Sequence, residues 1–346
     1  MQSDTSFIGD TGLRKVRVSG PHELVLGYYL STVVYHLQRL GILTLLAQPA
    51  TAADIAARLG LNAAALEPLL LYLYSYSDIL DSVSPGRYVV KPSWRQYGDF
   101  GFHIDKFIGA YGPLFQNLDR ILHSERADRA LVNDHLLGEA FAAIPRDGMA
   151  TPAGIVSQWN GTALLDLGCG SGALLDYLCA ASPAFVGWGI DISPVMCGLA
   201  KARLKDSGFS SRATIVCGDC RNLHTLLPQA ELNRINAVYG GSIMNEFFGN
   251  GNTEAIRFLR YLQSILPGRL FFIADYYGKL GHASDSAQAN LHTYNQDLVQ
   301  ILSGQGVPPA DLRGWVSIYE SAECRTRHAY EADGDGLQWF LHVVEL

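Results

Sequence analysis

The run LLDLGCGSGALLDYL (residues 164–178) decides the fold. Apolar residues lead into Asp166; Gly168, Gly170 and Gly172 then alternate with small residues, and an apolar helical pattern follows. This layout predicts a strand over 162–168, a tight turn, and a helix over 173–181. Glycines at such a turn let the backbone approach a ligand closely and aim amide groups from a helix N-terminus. A dinucleotide fingerprint reads G-x-G-x-x-G, so the spacing here points away from a nicotinamide cofactor.

Working outward, short apolar runs alternate with amphipathic stretches, the pattern of a parallel α/β sheet. FVGWGIDI (185–192), ATIVCGD (213–219), INAVYGGSIM (235–244) and GRLFFIADYY (268–277) read as further strands. Helices are predicted over 194–208, 253–266, 291–302 and 310–323. The tail from Cys324 to Leu346 reads as a hairpin turning through Asp-Gly-Asp-Gly. Asp191 ends the second strand, where a carboxylate can accept both hydroxyls of a ribose. Asp219 ends the third, where it can accept an adenine amino group, with Cys220 beside it. Glycines plus acids at the carboxyl ends of three successive strands describe a nucleoside site. Cys217 and Cys220 also form a C-x-x-C pair, but no second ligand pair of zinc spacing accompanies them.

The chain before residue 160 is different. Residues 51–80 read as helix-turn-helix, and 81–92 as a turn with a short strand, as in a wing. The second helix carries no Lys or Arg, so it lacks the side chains that read bases and phosphates. With a net charge of -7 over 346 residues, neither nucleic acid nor an anionic membrane surface is an expected partner. The apolar stretch 23–46 is interrupted by Glu23, His36, Gln38 and Arg39, too polar for a span, and reads as one or two buried helices. No basic-then-apolar leader opens the sequence, so the expected location is cytoplasmic. Residues 94–150 interleave glycine with aromatics, which fits either a helical connector or a cap over a ligand pocket.

Taken together, DLGCGSG, GIDIS and CGD resemble the first three motifs of class I S-adenosylmethionine (SAM)-dependent methyltransferases. The resemblance covers roughly 160–346 and implies a Rossmann-like α/β fold of seven strands with an antiparallel last strand. It implies SAM as cofactor, with Asp166, Gly168, Gly170, Gly172, Asp191, Asp219 and Cys220 forming its site. A mostly helical, winged-helix-like dimerisation domain (1–100), a linker and substrate cap (101–159) and the catalytic domain (160–346) are similar to small-molecule O-methyltransferases. A homodimer acting on a small metabolite is therefore expected.

In that group a histidine after the fourth strand deprotonates the acceptor. Here GGSIMNEFFG (240–249) has Asn245 and Glu246 at that place. Asn245 is no base; Glu246 becomes one if burial raises its pKa. A weaker resemblance to 2-oxo-acid C-methyltransferases of the 2-ketoarginine type implies an enolate, held by a divalent metal on Glu246 with His292 or His282. Catalytic candidates are thus Glu246, Asn245 and His292, and substrate candidates Arg146, Tyr276 and Tyr277, with His103 a weaker one. C-methylation of a 2-oxo acid is the favoured reaction. O-methylation and a SAM-binding, non-methylating cyclase remain open, and the absent basic residues disfavour a DNA-reading regulator.

Overall fold

The computed structural model describes residues 20–95, 100–124, 129–281, 291–333 and 338–346. The described residues divide into two compact units, one up to residue 113 and one from residue 114 onward.

In the smaller unit, helix α1 (Pro21–Arg39) and the short α2 (Ile42–Leu45) precede strand β1 (Ala50–Thr51). Helices α3 (Ala52–Leu59) and α4 (Ala63–Tyr76) follow, then strands β2 (Leu80–Ser84) and β3 (Arg87–Val90). Thr51 and Asp54 start α3 as a reciprocal capping box, and Gly60 stops it in the left-handed region. Asn62 caps α4 through the amides of Ala64 and Ala65. The strands form an antiparallel sheet in the order β1-β3-β2. Val34, Leu37, Leu46, Ile55, Leu70, Leu73 and Tyr88 build the core of this unit. The expectation of buried helices over 23–46 is only half met. Val34, Leu37, Ile42 and Leu43 are buried, whereas Leu24, Val25, Tyr28 and Tyr29 on the first half of α1 face solvent. A π-helix (Ile104–Ala110) ends the unit, with Lys106 buried over the rings of Phe102 and Phe107.

The larger unit opens with helices α5 (Asp134–Ala142) and α6 (Ala150–Gln158). Next come β4 (Ala163–Leu167), α7 (Ala173–Ala181), β5 (Val186–Asp191), α8 (Pro194–Asp206), β6 (Ala213–Cys217) and β7 (Ala237–Gly241). The chain then runs through α9 (Asn252–Ile265), β8 (Leu270–Tyr276), α10 (Leu291–Leu302), α11 (Leu312–Ser321), β9 (Arg325–Asp333) and β10 (Gln338–Glu345). Seven strands form one sheet in the order β9-β10-β8-β7-β4-β5-β6. β4 to β8 are parallel, and β10 runs antiparallel to both β8 and β9. Helices cover both faces, which explains why β4 and β8 are apolar almost throughout. Two apolar cores sandwich the sheet, one around Leu165, Ile190, Val238 and Trp315, the other around Leu164, Leu175, Phe272 and Val343.

From β4 the chain winds outward to β5 and β6, then returns to place β7 on the other side of β4. The strand order therefore reverses between β4 and β7, and ligands of open α/β sheets bind outside the carboxyl ends at such a point.

Candidate active site

The glycine turn after β4 is held open by its own backbone. Gly168, Gly170 and Gly172 all have positive φ (64°, 52° and 73°). A Cβ on Gly170 would meet nothing within 4 Å, whereas one on Gly172 would press within 3.0 Å of Ala200 Cβ. Gly172 thus lets α7 pack tightly on α8, while Gly170 leaves unfilled space beside the turn.

Asp191 ties this turn to the next strand. Its Oδ2 accepts from Gly170 N (2.9 Å) and its Oδ1 from Ser193 N (2.9 Å). Desolvation raises its pKa, partly offset by those two amides. Asp166, deep in β4, is pushed well above the carboxylate range by burial and then by Asp191. Asp219 is held the other way. Arg221 grips both its oxygens at 2.6–2.9 Å and lowers its pKa. Burial pushes the neighbouring Cys220 thiol up to about 12, so it is inert as a nucleophile. The C-x-x-C pair consists of free thiols, and Cys217 Sγ donates to Ile192 O (3.9 Å).

The end of β7 carries the second half of the site. A turn of 3-10 helix (Met244–Phe247) places Asn245 and Glu246 side by side. Asn245 is buried, and its backbone amide donates to Asp275 Oδ2 (3.0 Å) at the end of β8. The amide of Tyr276 donates to the other oxygen, Asp275 Oδ1 (3.0 Å), while Asn245 Oδ1 is buried with no hydrogen-bond partner among the described residues. Asp275 is fully buried, and desolvation raises its pKa to about 7 against the pull of those amides. Glu246 is accessible to solvent, yet protein surrounds its carboxyl closely enough that desolvation raises its pKa. Arg129 and a hydrogen bond from Gln305 pull that pKa down, and Asp191 and Asp134 push it up. Arg129 pairs with Asp134 (2.9 Å) at the start of α5, so this pair faces both Asp191 and Glu246.

The remaining sequence candidates separate from this cluster. Arg146 donates to both oxygens of buried Asp176 (2.7 and 3.1 Å) and to Ser207 Oγ (3.0 Å). It fastens the segment before α6 onto α7 and α8. The Tyr276 hydroxyl donates to buried Asp297 (2.9 Å) on α10. Tyr277 donates to Glu331 (2.7 Å) and lies 3.2 Å from His342 Nε2. Both rings are buried. His292 lies half-buried in the first turn of α10, and His282 lies outside the described residues. His103 makes ring contacts with Phe102 and Phe107 in the smaller unit. Among the described residues no three His, Cys, Asp or Glu side chains group to hold a metal ion. The expected set of Glu246 with His292 thus lacks a third ligand there.

Asp275, Arg129, Asp134 and Gln305 escaped the sequence reading. Asp275 did leave a signal: it is the acid in FFIADYY, at the end of a strand otherwise apolar. Nothing local marked the other three.

A family model described as "Methyltransferase domain" matches residues 164–257. The 2-ketoarginine methyltransferase of Streptomyces arginensis is 29% identical over 178 residues, 48% of this chain and 50% of that protein. The match thus spans about half the length of that curated relative. Among solved structures, the mitomycin 7-O-methyltransferase MmcR superposes with a TM-score of 0.70 at 14% identity, covering 94% of this chain and 96% of that one. NcsB1, an O-methyltransferase from neocarzinostatin biosynthesis solved with S-adenosyl-L-homocysteine and 1,4-dihydroxy-2-naphthoic acid, gives 0.65 at 18% identity, covering 96% and 100%. At these identities the likeness is one of fold.

Proposed function

Residues 164–257 are a methyltransferase domain, and on that premise we propose that the protein is a SAM-dependent methyltransferase acting on a small-molecule metabolite. The observation that carries the reading is the glycine turn at the strand-order reversal, clasped by Asp191 through Gly170 N. The residues fit the cofactor: the space beside Gly170 admits a ligand against the backbone, and Asp191 retains acceptor capacity on both oxygens for ribose hydroxyls. Asp219, whose oxygens already accept from the Arg221 amide and guanidinium, would take an adenine amino group in place of part of that grip. When bound, SAM supplies an electrophilic methyl carbon that is taken up by an in-line nucleophile.

The acceptor is a 2-oxo acid, methylated on carbon. Glu246, its pKa raised by its surroundings, would accept the proton from the carbon beside the ketone; SAM, when bound, would supply the methyl group and leave as S-adenosylhomocysteine. The 29% likeness to a 2-ketoarginine methyltransferase supports this choice. O-methylation is the second reading, favoured by the structural relatives described as O-methyltransferases. The working unit is a homodimer formed through the smaller unit.

Incubation with methyl-labelled SAM and a panel of 2-oxo acids, phenols and carboxylic acids tests the assignment. A product carrying C–CH3 by NMR is expected from an oxo acid. Turnover of phenols alone would replace carbon methylation with the second reading.

A further inference from the structure

We propose that Cys197 and Cys217 are a peroxide-reactive dithiol beside the turn that Asp191 clasps, and that their disulfide lowers the affinity for SAM. The effect on SAM rests on the proposed cofactor site; the pairing of the two cysteines rests on packing alone. Both thiols touch the same short stretch of backbone. Cys197 Sγ, near the start of α8, donates to Asp191 O (3.3 Å) and lies 3.9 Å from Val216 O. Cys217 Sγ lies 3.9 Å from Ile192 O, the next carbonyl along. Asp191 also stands opposite Cys217 in the parallel register of β5 and β6. Side chains alternate between the two faces of a strand. Ala213 and Ile215 of β6 share one core with Cys197, Ala200 and Leu204 of α8, so Cys217, two residues beyond Ile215, points to that helix. Cys220 packs against the core on the other face of the sheet. The reactive pair is therefore not the C-x-x-C pair of the sequence.

Access sets the order of reaction. Cys217 is exposed, whereas Cys197 is only 3% exposed and burial raises its pKa, so hydrogen peroxide meets Cys217 first. The Cys217 sulfur takes one peroxide oxygen and becomes a sulfenic acid, and the other oxygen leaves as water. The Cys197 sulfur then displaces the sulfenic hydroxyl, which departs as water with the Cys197 proton. Two thiols and one peroxide thus become one disulfide and two waters. The disulfide has no proton left to donate to Asp191 O. Its Cβ–Cβ span of about 3.5–4.5 Å also ties the start of α8 to the end of β6. Between those ends lies Asp191, whose carboxylate is set by Gly170 N and Ser193 N.

The test treats the reduced full chain with hydrogen peroxide and digests it without reductant. Mass spectrometry should find a peptide joining Cys197 to Cys217, lighter by two hydrogens than the separate pieces. A link between any other pair, or no link, overturns the dithiol. Calorimetry on the oxidised chain should show SAM affinity lower by about tenfold, the share of one hydrogen bond to a charged group. Dithiothreitol should restore it. Cys217→Ser, a change at an exposed position, should bind SAM as the reduced wild type does and keep that affinity through peroxide. An equal loss in Cys217→Ser assigns the effect to another residue and overturns the coupling, as does unchanged affinity in the cross-linked chain. If the reduced wild type binds no SAM, the cofactor reading fails and the coupling with it, whereas the peptide map still decides the pair.

Discussion

Asp191 shows how much one side chain decides. Each of its oxygens accepts one backbone amide, from Gly170 and from Ser193, so it shapes the turn; under the proposed function it is also the ribose acceptor. Asp191→Ala leaves both amides without that acceptor, at a cost of about 1–3 kcal/mol, read by urea unfolding. The same variant should weaken SAM binding about tenfold or more, read by calorimetry, since a hydrogen-bonded carboxylate contributes on the order of 1.5–3 kcal/mol. Unchanged affinity would overturn the cofactor assignment. Asp275 makes a different prediction. Its folded pKa of about 7 lies above its ordinary 3.8. The stability it contributes is therefore full below about pH 4 and is lost as pH rises through about 7. Asp275→Asn should lose that part of the pH dependence, so the stability difference between pH 5 and pH 8 should shrink relative to wild type. An equal difference in both proteins would mean that Asp275 titrates normally. Asp191 and the glycines were legible because strand ends and turn spacing are local. The partner of Arg146 lies 30 residues away at Asp176, and no periodicity encodes such a distance.

The parallel strands were written plainly in the sequence, because β4 to β8 are short, mainly apolar runs. The predicted strand over 162–168 is β4 at 163–167, and the helix over 173–181 is α7 with the same ends. What the elements do to each other was less visible. The crossing of residues 304–306 with 248–249 joins segments more than 50 residues apart, and the sequence offered only glycines in two loops. Its energetic content is testable. Gly306→Ala forces a left-handed backbone on alanine, at about 1 kcal/mol, and drives a Cβ to 2.2 Å from Phe248 O. The sum should exceed about 2 kcal/mol, measured as a fall in unfolding midpoint. Gly281→Ala shares the positive φ but meets nothing within 4 Å, so it should cost only the backbone share. If both variants fall equally, the crossing is looser than its geometry.

At the scale of the molecule, the two-part organisation followed from a change of pattern near residue 160, yet the compact units divide between Pro113 and Leu114. Aromatic composition marked the bridging stretch without revealing which half of it packs with which core, since rings satisfy either. The same limit hid the exposed face of α1. Apolar residues at helical spacing signal burial, but not whether the chain itself or another copy supplies the cover. Leu24, Val25, Tyr28 and Tyr29 on α1 stand 45–63% exposed, with Leu69 and Leu71 on α4 at 40% and 50%. Tyr28, Tyr29, Val33, Pro68, Leu69 and Tyr72 line a shallow hollow between the two helices. Contiguous apolar surface of this kind marks an association site, each Å² covered contributing about 25 cal/mol. A two-fold arrangement uses one patch on both copies, so in the proposed dimer this face would meet its own counterpart on a second chain. Sedimentation at micromolar concentration should therefore give twice the chain mass. Tyr28→Glu with Leu69→Glu should reduce it to one chain while leaving SAM affinity intact, because the glycine turn and Asp191 lie in the other unit. A wild-type protein that sediments as a single chain would remove the dimer and leave this face to a different partner.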